Sequence, residues 1–140
     1  MSDSQPSSHL PQDPKKWVRD LEAVWQAKDS KKAAEGFTDD AVQVWGTDQR
    51  QSGPELLTRP AQWFSYAKDL MINKEYVAHT GNCIVTTWNS TYTHPETAKK
   101  MHERGIECFY FRDGKVCEQR VWQHSWVDGS NLAAKSFSTD

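Results

Sequence analysis

Glu107 is the residue whose type and setting best fit proton chemistry. It stands in the run Gly105-Ile106-Glu107-Cys108-Phe109-Tyr110-Phe111, where strand alternation puts its carboxyl on one face with Phe109 and Phe111. His102 and Arg104 fall on the opposite, wetter face, which turns Glu107 towards the interior. A carboxylate held among rings is disfavoured in its charged form, so its pKa rises and it can exchange protons near neutral pH. The alternative is an ion pair with Arg120 or another cation across the sheet, which leaves Glu107 satisfied and structural. His124 has a ring suited to proton transfer, but without an evident acidic partner to orient it the residue reads as structural. The five histidines (His9, His79, His94, His102 and His124) show no HxxxH or HxH spacing, so no metal site is expected. Cys83, Cys108 and Cys117 form no CxxC and read as reduced thiols in or beside a core.

The elements that must position these groups follow from periodicity. Asp13-Pro14 starts a helix with Asp as cap and Pro in the first turn, and Trp17, Val18, Leu21, Val24 and Trp25 give it an apolar face to about Lys28. Asp29-Ser30 caps a short second helix, which Gly36 ends in a left-handed conformation. Ala41 to Trp45 reads as a strand and Gly46 to Arg50 as a polar turn. Ser52-Gly53-Pro54-Glu55 is a capping box for another helix, in which Pro60 predicts a kink or restart. Beyond it Trp63, Phe64, Ala67, Leu70 and Met71 continue a helical face. Four β-rich segments follow, Lys74 to Thr80, Cys83 to Thr93, Met101 to Phe111 and Val116 to Trp126, separated by turn signals at Gly81-Asn82, Pro95 and Asp113-Gly114. Strands joined this way are antiparallel. The order predicts an α+β fold with helices gathered on one face of a sheet.

The chain of 140 residues is one domain, expected over residues 13–127, with a flexible arm at 1–12 and a polar tail at 128–140. A net charge of −2 gives no electrostatic footprint for nucleic acid or anionic lipid. A mean hydropathy of −0.84 leaves no bilayer-spanning segment. The N-terminus has neither a basic nor an apolar signal region, which predicts a cytoplasmic protein. Hydrophobic residues make up 36%, yet seven Trp, four Tyr and five Phe are present, so large rings must fill the interior or wall a pocket. On the last strand, Glu118, Arg120, Trp122, His124 and Trp126 alternate outward. The aromatic ridge this leaves predicts a homodimer through the outer sheet face, unless a bulge flips the register and buries it.

FTDDAVQVWG at Phe37 to Gly46 and GIECFYFRDGKVCEQRVW at Gly105 to Trp122, in this order of elements, resemble the nuclear transport factor 2-like superfamily, especially its SnoaL-like branch, over about residues 13–127. The resemblance implies a cone-shaped, curved, mixed or antiparallel sheet packed on three to four helices around a pocket, commonly as a dimer. Similar members include ketosteroid isomerase, scytalone dehydratase, limonene epoxide hydrolase and polyketide cyclases, and also domains with no catalysis. In the isomerase pattern the aspartate base falls here on Trp45 and the tyrosine donor on Leu21, so both are missing. The second acidic donor falls on Glu107, which keeps a carboxyl. Carried over by position, the pocket comprises Leu21, Trp25, Trp45, Trp63, Phe64, Thr86, Trp88, Gln119, Val121 and Gln123, with Trp25, Trp45, Trp63 and Trp88 converging. The expected function is a cofactor-independent lyase, isomerase or cyclase acting on a small apolar or aromatic, ring-containing molecule, with Glu107 as acid or base. The alternative is a non-catalytic ligand-binding or protein-interaction domain of the same fold.

Overall fold

The computed structural model describes residues 8–130. Helix α1 (Pro14–Gln26) starts as expected, with the Asp13 carboxylate accepting from the Lys16 amide at 3.1 Å and Pro14 in the first turn. Trp17 on its inner face meets Phe109 and Phe111 edge-on, at centroid distances of 5.0 and 4.9 Å. Helix α2 (Ser30–Glu35) is capped by Asp29. Gly36 ends it with a right-handed φ of −70°, and the left-handed turn comes earlier, at Lys28 after α1.

The expected strand after Gly36 is longer, β1 (Phe37–Trp45). The segment read as a polar turn holds only its first residues as turn; β2 (Gln49–Ser52) then pairs antiparallel with β1. Four polar residues at a sheet edge carry no hydrophobic alternation, which hid β2. Helix α3 (Gly53–Tyr66) runs through Pro60 as one element, with Pro60 buried. Ser52 is its cap residue but makes no side-chain capping bond.

The helical pattern read beyond α3 belongs to a strand. Helix α3 stops at Tyr66, and β3 (Lys68–Thr80) follows, burying Leu70, Ile72 and Lys74 while Met71 is 62% exposed. Leu70 satisfies both periods, so the short run could not separate them, and the strand therefore starts before Lys74. Strands β4 (Cys83–Thr93), β5 (Lys100–Arg112) and β6 (Lys115–Val127) complete the antiparallel run. Asp113 and Gly114 turn the last hairpin with φ of 50° and 83°.

The sheet order is β2-β1-β6-β5-β4-β3, and β1 lies parallel to β6. This non-local pairing makes the sheet mixed. It also brings Gln43 beside Gln119 and Trp45 beside Val121. The α+β architecture is as expected: a curved, open six-stranded sheet with three helices. Among the described residues no helix is long and apolar enough to cross a membrane.

The arm expected over 1–12 lies outside the described residues up to Ser7; from there it docks. Leu10 is buried in the cluster of Val18, Ile84, Phe109, Phe111 and Val116, and the Gly114 amide donates to the His9 carbonyl at 2.9 Å. A buried leucine together with bonds at His9 holds a segment whose average composition is polar. Of the expected tail, 131–140 lie outside the described residues.

Candidate functional site

The inner face of the sheet, α1 and α3 enclose an open cavity of about 900 Å³. Trp25 of α1, Trp45 of β1, Trp63 of α3 and Trp88 of β4 all face it. The four rings thus reach one cavity from four different elements. Glu107, Gln119 and Gln123 face it too.

Four residues assigned to the wall lie behind it. Leu21, one helical turn before Trp25, packs into the cluster under Trp17. Phe64 turns its edge to Trp25, 4.9 Å between centroids. Thr86 is fully buried beneath Glu107, and Val121 is buried with Ile72 and Trp88. Phe64, Thr86 and Val121 each support a wall residue from behind, namely Trp25, Glu107 and Trp88.

Glu107 is buried as expected, but it is paired. The Lys74 ammonium donates to both its oxygens, at 3.0 and 3.2 Å. The Thr86 hydroxyl and Gln119 amide add donors at 2.9 and 3.1 Å. The Lys74 ammonium also lies over the rings of Trp25 and Trp88, 5.3 and 5.4 Å from their centroids. The line of donors runs on: Gln43 Nε2 to Gln119 Oε1 at 2.7 Å, and Trp45 Nε1 to Gln43 Oε1 at 2.6 Å. Each acceptor is itself held by a donor further from the carboxylate, so the network fixes every amide orientation. Arg120, the partner suggested by the sequence, instead meets Glu118 at 2.6 Å on the outer face.

Glu103 went unselected in the sequence although it shares the face of Glu107, since 103, 105 and 107 alternate together. It is buried against the cavity with no cation partner among the described residues. Ser125 and Ser90 donate hydroxyls to its two oxygens, at 3.1 and 3.4 Å. Burial raises its pKa above the usual glutamate value, and the bonds from Ser125, Ser90 and Gln123 only partly oppose it. A raised folded-state pKa means the native protein holds this proton more tightly than the unfolded chain. The stabilisation is complete below the unfolded value and lost as pH rises through the folded one. Glu103→Gln should therefore gain stability relative to the parent as pH increases from about 4 to 8, read from denaturant midpoints of both proteins; parallel curves would contradict it.

Tyr66, at the mouth, bonds to His94 Nε2 at 2.9 Å. His94 Nδ1 accepts from the amides of Glu96 and Thr97, at 3.1 and 3.3 Å. The neutral ring then carries its proton on Nε2 and donates it to the Tyr66 oxygen, leaving the phenol proton free to bond elsewhere. The exposed Arg50, Glu55 and Arg59 complete the rim.

This curved sheet, its helices and the enclosed cavity define a cone-like α+β protein with a ring-lined interior. Residues 18–119 match the SnoaL-like domain family, and the chain belongs to it. Among solved structures it is similar to the epoxide hydrolase/cyclase-like enzyme SalBIII, described in pyran ring formation in the polyether salinomycin, with a TM-score of 0.67 and 16% identity over 81% of this chain and 95% of that one. AclR, a proposed hydroxylase from Streptomyces galilaeus, gives a TM-score of 0.67 and 18% identity over 87% and 93%. A proposed isomerase from Bacillus subtilis gives 0.67 and 16% over 88% and 91%. These likenesses establish the fold. Among curated proteins none matches the sequence.

Proposed function

We propose that the cavity binds a small, largely apolar, ring-containing molecule, and that any chemistry done on it is a cofactor-independent isomerase, lyase or cyclase reaction. The observation that carries this reading is the convergence of Trp25, Trp45, Trp63 and Trp88 on one open cavity, because indole faces offer large apolar area at fixed geometry. The relatives of similar fold include enzymes of these classes, which supports the choice by analogy only. Native mass spectrometry of the purified protein should reveal a bound small molecule or binding of added aromatic compounds, and Trp63→Ala should weaken it about tenfold or more. A protein that binds no ring compound would remove the proposal.

A non-catalytic binding domain is the second reading, and a specific observation favours it. Glu107, the expected acid or base, is satisfied by Lys74, Thr86 and Gln119, so it acts as an anchor of the cavity floor.

Association through the outer face belongs to the same proposal. Trp122 and Ile106 are 41% and 39% exposed there and are paired across β5 and β6. Trp126 is covered by its own neighbours, stacked on His102 and His124 with the Arg104 guanidinium above it. Sedimentation should show a dimer, and Trp122→Glu should weaken it by tens of fold or more, since the interface would then bury an unpaired charge.

A further inference from the structure

We infer that the proton-transferring group of this cavity is Glu103, with Tyr66, which lines the same cavity and is oriented by His94, as the hydrogen-bond donor. The inference rests on the reading of the cavity as a ligand site and adds the residues and the substrate class: a ring-bearing carbon acid whose departing electron pair settles on an oxygen.

Two carboxylates face the cavity from β5, four residues and thus about 13 Å apart along the strand, so they do not share a proton. Glu107 is neutralised by Lys74. Glu103 has no cation among the described residues, is 6% exposed, and has only hydroxyl and amide donors. A carboxylate in that condition has lost water without gaining a counter-charge, which makes it a stronger base towards a bound C–H when ionised. Tyr92 lies within electrostatic reach of both Glu103 and Tyr66, and burial beside Glu103 raises its phenol to about 12. Tyr92 therefore stays neutral. The other ionisable groups near this end are turned away: His102, Arg104 and His124 lie on the opposite face of β5 and β6, and the Arg50, Glu55 and Arg59 side chains are exposed at the rim. Glu103 is left as the inner-face carboxylate without a cation partner among the described residues, and His94 acts on the site through its bond to Tyr66.

Ionised Glu103 takes a proton from a carbon of the bound molecule. The C–H electron pair moves into a new π bond, and the bond it displaces leaves its pair on oxygen. That oxygen accepts the free Tyr66 proton as a hydrogen bond. The proton on Glu103 then returns to another carbon or to water, completing an isomerisation or an elimination.

5-Nitrobenzisoxazole tests this without knowledge of the natural substrate. Removal of its ring C–H proton forms a nitrile as the N–O bond breaks, releasing a coloured cyanonitrophenolate. The wild type should accelerate the reaction, with a rate that rises with pH as Glu103 ionises and then levels. Glu103→Gln should lose about a hundredfold or more, while Glu103→Asp retains part. Tyr66→Phe should lose about tenfold without moving the pH midpoint. His94→Gln, whose amide can still donate to Tyr66, should keep more rate than His94→Ala. Binding is read separately by quenching of tryptophan fluorescence. A compound that binds but is not turned over, or a Glu103→Gln protein of undiminished rate, overturns the assignment and leaves the cavity reading intact. No binding of the compound counts against both. If the amide variant does not fold, a pH-independent wild-type rate overturns the assignment alone.

Discussion

Replacing Lys74 by Met should lower stability by about 3 to 5 kcal/mol, the usual cost of stranding a buried charge. The side chains of Lys74 and Glu107 are 3% and 8% exposed, so neither can recover water when its partner is removed. The Thr86 and Gln119 donors would remain and would moderate the loss. Adding Glu107→Leu to Lys74→Met should restore most of the stability, because the cost lies in the unpaired charge rather than in the missing attraction. The outer-face pair of Arg120 and Glu118 provides the contrast. It is 45% and 33% exposed, and breaking it should change stability little, and less still in high salt. Urea denaturation of the single and double variants, at low and high salt, measures all three. A Lys74→Met protein within about 1 kcal/mol of its parent would show that the pair is solvated.

The sequence carried the interior position of Glu107 because alternation along β5 is unbroken from Glu103 to Phe111. It could not carry the partner. Lys74 reaches Glu107 from β3, which pairs only with β4, so the contact crosses a strand and depends on both registers. The missed start of β3 concealed it further: once the strand is extended back to Leu70, alternation places Lys74 on the same face as Leu70 and Ile72. Gln43 and the parallel pairing of β1 with β6 were hidden for a related reason, since nothing local records which distant strand closes the sheet. Glu103, by contrast, was legible on the same face as Glu107. The ring neighbours Phe109 and Phe111 drew attention to the wrong end. Those two residues pack under α1 against Trp17, outside the lining of the cavity that both carboxylates face.

The same strand explains why its middle is a glycine. Gly105 sits opposite Trp88 in the register, between the two carboxylates. A Cβ there would lie 2.3 Å from Trp88 Cη2 and 2.4 Å from the Trp122 carbonyl oxygen, both far inside van der Waals contact. A glycine in a strand interior weakens the strand, so its presence is explained by this close approach of ring to backbone. Gly105→Ala should therefore destabilise the protein by about 1 to 3 kcal/mol or more, as overpacking does in cores. It should also push the Trp88 ring off the cavity floor, disturbing the indole over which Lys74 sits. Trp88→Leu in the Gly105→Ala background should recover only part of the loss, because the clash with the Trp122 carbonyl belongs to the backbone and cannot rotate away. Thermal unfolding of the three variants, with tryptophan emission reporting the indole environment, distinguishes the two clashes. Full recovery in the double variant would mean that the ring alone requires the glycine. No loss in the single variant would mean that β5 and β6 separate readily enough for the cavity floor to be soft. In the expected case, the rigid crossing of Trp88 over Gly105 holds an indole on the strand between Glu103 and Glu107, keeping a carboxylate without a cation partner apart from an ion-paired one on a single strand.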